Sequence, residues 1–123
     1  MRTLNATPSP TDDCCYLTTT GRRSGRPHRI EIWYADDNST RYLLAGGGRS
    51  SDWVQNLEAS PAVQVERDGT IQSARGRILD GTEAERARSL VYDKYAPRYD
   101  GDLTAWREGA LPIALDLVPN PGG

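Results

Sequence analysis

Residues 16–34 read YLTTTGRRSGRPHRIEIWY, and the fold follows from how this stretch divides. Its opening part, with Cys14 and Cys15 before it, is β-branched and aromatic, so residues 14–20 are expected to form a strand. GRRSGRP, residues 21–27, holds two Gly and a Pro and has to turn. Beyond it Ile30, Ile32 and Tyr34 alternate with Glu31 and Trp33, the two-residue period of a second strand. The pair reads as a hairpin.

The same grammar runs outward from there. DDNST, residues 36–40, connects to a returning strand at 41–45, and GGGRSS at 46–51 is a glycine-rich loop. Ser51 or Asp52 can cap a short helix through Ala59, with Trp53 and Leu57 stacked one turn apart and Ser60-Pro61 ending it. Val63 and Val65 mark a further strand, and Asp68-Gly69 a tight turn. In the strand over 70–80 the inward set switches from Ile71 to Ala74 and Ile78, which implies a bulge near Ser73. Thr82 and Glu85 fit a capping box opening a helix that carries Ala84, Ala87, Leu90, Val91 and Tyr95. Residues 100–109 read as a connection, and 111–118 as the last strand. With hairpins dominating and no βαβ alternation, the expected fold is mainly β (α+β): a six-stranded antiparallel barrel with two peripheral helices.

A chain of 123 residues is one domain. Residues 1–13 (MRTLNATPSPTDD) are expected to be a flexible arm, 14–119 the folded domain, and 120–123 a frayed tail. Neither a secretory signal nor a membrane span is read from the sequence, so the expected location is cytoplasmic. The net charge of −2 argues against a nucleic-acid binder. Two adjacent cysteines on a strand point to opposite faces, and with a single histidine no metal site is expected.

Three places could carry chemistry. In GRRSGRPHR, residues 21–29, free backbone amides, a hydroxyl and four guanidinium groups converge, which suits a phosphate-bearing ligand. The segment is not a P-loop, because the spacing is wrong and no helix follows. Gly46, Gly47 and Gly48 cost backbone entropy, a reason to expect close approach by a planar ring, with Trp53 and Asn56 on the helix behind. Tyr92, Tyr95 and Tyr99 are spaced to share a helical face, where phenols can donate a proton or give shape to a cavity.

YLTTTGRRSGRPHRIEIWY, together with GGGRSSDWVQNLEASPAVQV at 46–65, resembles the deazaflavin-dependent nitroreductase family of flavin/deazaflavin oxidoreductases. That resemblance spans residues 16–118 and implies a split β-barrel related to the pyridoxamine phosphate oxidases. It implies coenzyme F420 as the cofactor and hydride transfer to an activated C=C, quinone or nitro group of a small molecule. Arg22, Arg23 and Ser24 match the phosphate-contacting turn, Gly46, Gly47 and Gly48 the ring-side loop, and Tyr92, Tyr95 and Tyr99 loosely match substrate-pocket tyrosines. His28 stands where many members carry a phosphate-binding Arg, with Arg29 beside it as a substitute. FMN, which also ends in a phosphate, is the alternative cofactor. A non-redox apolar-ligand binder, or an isomerase or lyase on the same scaffold, is the alternative class. A homodimer is expected.

Overall fold

The structure, a computed structural model, describes residues 13–119; the tail at 120–123 and all of the expected arm but Asp13 lie outside the described residues. Seven strands form one antiparallel sheet: β1 (Cys15–Thr20), β2 (Pro27–Ile32), β3 (Ala35–Asp37), β4 (Thr40–Ala45), β5 (Ala62–Arg67), β6 (Thr70–Ile78) and β7 (Leu111–Leu117). Their order across the sheet is β2-β1-β5-β6-β7-β4-β3. Three helices accompany it: α1 (Asp52–Ala59), α2 (Gly81–Tyr95) and α3 (Thr104–Gly109).

The edge strands explain the shape. β2 and β3 lie at opposite ends of the strand order, yet only Trp33 and Tyr34 separate them in the chain. Three Cα steps span at most about 11 Å. The sheet therefore has to curl into a half-barrel that brings its two edges together. No ladder joins β2 to β3 among the described residues, so the expected six-stranded barrel is corrected to a curled half-barrel sheet. The count is seven rather than six because the chain breaks at Trp33–Tyr34 and Asp36 and Asp37, expected within the 36–40 connection, instead continue Ala35 as a paired strand. The residues beyond the break pair with β4, Ala35 opposite Tyr42 and Asp37 opposite Thr40, around Asn38–Ser39.

Alternation along the strands sorts the apolar side chains into two cores. Inside the curl, Cys15, Leu17, Ile32, Tyr34, Leu43, Val63, Val65, Ala74, Ile113 and Leu115 pack together, with Val54 and Leu57 of α1 entering from one end. On the outside, α2 covers β4 and β7 through Ala84, Ala87, Val91 and Tyr95, against Trp33, Tyr42, Leu44 and Ala114. β4 and β7 are buried on both faces for that reason. Gly76 lets α1 approach: a Cβ there would stand 2.5 Å from a Leu57 methyl group.

Three further expectations are corrected. β6 carries no bulge, because its pairing runs unbroken from Arg67↔Thr70 to Ala62↔Arg75; Ile71 faces solvent at 58% exposure. The Thr82–Glu85 capping box does not form: α2 starts at Gly81, and Glu85 turns to Arg88 (3.4 Å) and Arg107 (3.9 Å). The connection over 100–109 contains α3, whose first N–H, from Thr104, is taken by the Asp102 carboxylate at 2.9 Å. No helix among the described residues is long and apolar enough to cross a membrane.

Candidate functional site

Antiparallel pairing places both glycine-bearing loops at one end of the half-barrel. β1 ends at Thr20 opposite Pro27, the first residue of β2; β4 ends at Ala45 opposite Leu111, the first of β7. The turn at 21–26 and the loop at 46–48 leave from this end, and α1 lies across it.

Asn56 ties these pieces together. It is buried, and its Oδ1 accepts from the Arg22 backbone N–H (3.1 Å) and from the Arg22 guanidinium (2.8 Å). Its Nδ2 donates to Thr19 Oγ1 on β1 (3.3 Å). Arg22 reaches on to the Asp52 carboxylate at 3.2 Å. A buried amide with three partners fixes orientation, since losing one would leave a desolvated polar group. Arg22 is thereby a brace between the turn and α1.

The turn itself is closed from within. The Gly21 N–H donates to the Arg26 carbonyl (2.8 Å), the Gly25 N–H to the Gly21 carbonyl (2.9 Å), and the Arg26 N–H to Ser24 Oγ (3.1 Å). Gly25 has φ +72, a conformation that glycine adopts at little cost. Gly21 is buried, and a Cβ there would stand 2.6 Å from Ser24 Oγ and 2.7 Å from His28 Nε2, so the His28 ring folds over the glycine.

At the apex the Arg23 and Ser24 N–H groups have no hydrogen-bond partner among the described residues. Arg23 and Arg26 are exposed and face no carboxylate among the described residues. Two open amides and two uncompensated guanidinium groups within four residues make an anion-binding concavity. Arg26 is one of the four guanidinium groups that the sequence gathers in GRRSGRPHR, but not one of those that the family resemblance matches to the phosphate-contacting turn.

β2 separates the remaining two candidates. His28 pairs with Thr19 on the inner side, whereas Arg29 lies on the outer face, over the Tyr16 ring at 4.0 Å and on Glu66 at 3.0 Å. Strand alternation puts adjacent residues on opposite faces. His28 belongs with the turn, and Arg29 stands away from it.

Gly46 and Gly47 form the turn leaving β4, and Gly48 opens a single 3₁₀ turn, Gly48–Ser50, that leads into α1. Gly48 has φ +62, and a Cβ on it would meet nothing within 4 Å. The backbone is bare on that side, with room for a flat group. Trp53 is half-buried against the inner core.

The tyrosines belong to the other core. Tyr95 is fully buried and stacks on Trp33 at 4.1 Å, its hydroxyl accepting from the Tyr34 N–H (3.1 Å) and donating to the Asp13 carbonyl. Burial pushes that phenol well above its ordinary range. Tyr99 meets the Trp33 edge at 6.0 Å, and Tyr92 lies 5.8 Å from the Arg107 guanidinium. The structure thus gathers Arg22, Arg23, Ser24, His28, Gly46, Gly47, Gly48, Trp53 and Asn56 at one end. Tyr92, Tyr95 and Tyr99 sit in the α2 layer.

A family model for F420H(2)-dependent quinone reductases matches residues 3–117. Among solved structures, an F420-H2 dependent reductase, FDR-A, is similar with a TM-score of 0.69 at 21% identity, covering 83% of this chain and 92% of that one. A chain described as a domain-swapped dimer has the same TM-score of 0.69 at 22% identity, over 83% of this chain and 78% of its own. The heme storage protein HutZ from Vibrio cholerae is similar at TM-score 0.69 and 12% identity, over 89% of this chain and 84% of that one. At such identities these neighbours establish the fold.

Proposed function

Because the chain belongs to the family of F420H(2)-dependent quinone reductases, it is an F420-dependent reductase, and we propose that its substrate is a small quinone held beside Gly46–Gly48. FMN and the non-redox alternatives are set aside with that membership.

The uncompensated apex of the 21–26 turn is the observation that carries the site assignment. F420 ends in a phosphate and acidic tail, and Arg23, Arg26 and the Arg23 and Ser24 amides offer donors that nothing else in the described chain takes. Bidentate guanidinium contacts suit phosphate and carboxylate oxygens alike. Arg22 and Asn56 hold the turn against α1, so the donors are positioned before the ligand arrives. The bare backbone at Gly48 accommodates a planar ring against β4, with Trp53 behind it. When bound, reduced F420 supplies the hydride. The chain orients the two partners and excludes water.

Quinone reduction also needs a proton. Tyr95 is engaged at both Tyr34 and Asp13, and Tyr92 and Tyr99 stand with it in the α2 layer, so on this reading the three tyrosines serve as framework and the proton comes from elsewhere than these phenols. We also propose a homodimer. Tyr16, Glu66 and Ile71 stand in register across the outer face of β1, β5 and β6, and Tyr16 and Ile71 are exposed at 38% and 58%. Among the described residues no helix covers that face, and Arg29 and Glu66 on it can pair with their counterparts on a second copy.

The test is oxidation of reduced F420 by a soluble naphthoquinone, followed by absorbance. Turnover that disappears in Arg23→Ala/Arg26→Ala and recovers at high F420 supports the assignment. Unchanged affinity in that variant overturns it.

A further inference from the structure

The single histidine of the chain stands at the open turn. Ser24 Oγ and His28 Nε2 lie 2.6 and 2.7 Å from the point that a Gly21 Cβ would occupy, so the hydroxyl and the imidazole converge over this glycine. Any side chain at 21 would displace one of them. His28 is exposed, and its ring has no hydrogen-bond or ion-pair partner among the described residues. Ser24 Oγ accepts from the Arg26 N–H at 3.1 Å, which leaves its own proton for a further acceptor. The ring thus borders the same concavity as the Ser24 amide and hydroxyl.

The charged groups around it are of fixed sign. On the turn, Arg22 is held by Asn56 and Asp52, with Arg23 and Arg26 beside it. On α1, Asp52 lies on Arg22, and Glu58 lies on Arg49 at 2.8 Å. On β1, Thr19 and Thr20, paired with His28 and Pro27, carry no charge. Carboxylates and guanidinium groups ordinarily keep their charge between about pH 5.5 and 8, the window in which an imidazole gains or loses its own. The charge of the concavity can change there only at His28. The far mouth, at the opposite end of the half-barrel, has Arg41 on Asp36 and Arg67 on Asp68 and holds no histidine.

We propose that His28 is a proton-dependent ligand for the acidic end of F420. As an imidazolium it adds a cation to Arg23 and Arg26; as a neutral ring it offers one ordinary hydrogen bond. This rests on the assignment of the 21–26 turn to that end of the cofactor. Charge-assisted hydrogen bonds are about twice as strong as neutral ones. An anion beside the ring favours its charged form, so binding takes up a proton. Affinity is therefore highest at the acid side of the window and falls as the pH rises through it.

Calorimetric titration of F420 between about pH 5.5 and 8.5 into wild type, His28→Gln and His28→Arg tests this. The ratio of wild-type to His28→Gln affinity at each pH cancels any titration of the cofactor itself. It should climb from near one at the alkaline limit to about five- to tenfold at the acid limit. His28→Arg, charged throughout, should keep the tighter affinity across the series. In buffers of different ionisation enthalpy, the wild type should take up a fraction of a proton per F420 that His28→Gln does not. The ring is exposed and unpartnered, so both variants should fold. A ratio that stays flat with pH, while Arg23→Ala/Arg26→Ala still loses F420, overturns the role of His28 and leaves the assignment of the turn standing. Unchanged F420 affinity in Arg23→Ala/Arg26→Ala overturns that assignment and this proposal with it.

Discussion

The two ends of the half-barrel treat positive charge in opposite ways. At the far mouth nearly every cation is answered: Arg41 by Asp36, Arg67 by Asp68 and Asp13, Lys94 and Arg98 by Asp13. At the α1 end Arg22 is answered by Asn56 and Asp52, but Arg23 and Arg26 next to it face no carboxylate among the described residues. The paired cations hold strands and termini together. The unpaired ones add little to the fold and are what an anionic ligand would meet. Counting arginines does not separate these roles, and partner geometry does.

The largest expected effect breaks the comparison at its open end. Arg23→Ala/Arg26→Ala removes two charge-assisted contacts worth about 1.5–3 kcal/mol each, so F420 affinity should fall roughly 100-fold or more. The melting temperature should hardly move, since neither side chain has a partner to lose among the described residues. Fluorescence titration and a thermal melt on the same sample check both halves.

Gly76→Ala attacks the packing under α1. The added methyl collides with Leu57, and overpacking of this kind costs about 1–3 kcal/mol. At roughly 4–8 °C per kcal/mol for a domain this size, the melt should drop visibly. F420 affinity should weaken with it, because α1 carries Asn56.

Arg77→Leu probes a paired cation on the outer face. Arg77 holds Glu83 at 2.7 Å and Asp116 at 2.7 Å, and its hydrogen bonds keep both carboxyls below their ordinary values. Carboxyls lowered in the folded state contribute stability that is complete above their unfolded pKa and disappears as pH falls through the folded one. Wild-type stability in urea should decline as the pH drops below about 5. The variant should start lower and decline less steeply.

The smallest effect concerns the cysteines. Burial pushes both thiols up to about 11. Alkylation of the folded protein near neutral pH should be very slow, and two thiols should appear on unfolding.

Much of this organisation was legible in the chain. The Asp68-Gly69 turn and the span of α1 follow from local chemistry and agree with the structure; Ser51 does stand at the N-cap of α1, but its hydroxyl makes no capping bond. The break at Trp33–Tyr34 was not legible, because alternation continues through it; only the requirement that β2 and β3 occupy opposite edges interrupts the ladder. Ile71 mimics an inward residue in the sequence pattern and so implies a bulge, whereas in the structure it is an exposed isoleucine on a regular strand. α3 carries no readable period: it is six residues long, and an apolar residue, Leu103, stands at its N-cap while Asp102 before it takes the Thr104 N–H. In the site, GRRSG and W-x-x-N were visible as separate motifs, but that Asn56 joins them is a contact across 34 positions. The far mouth gathers residues from three strands and carries no local signal at all.

The central claim is that the apex of the 21–26 turn grips the acidic end of F420. Titrating F420 into ¹⁵N-labelled protein tests it most directly. The Arg23 and Ser24 amides, with Gly48 beyond them, should show the largest saturable shifts, while Arg67 and Gln72 stay unmoved. Shifts centred on the far mouth, with Arg23 and Ser24 silent at saturation, would contradict it.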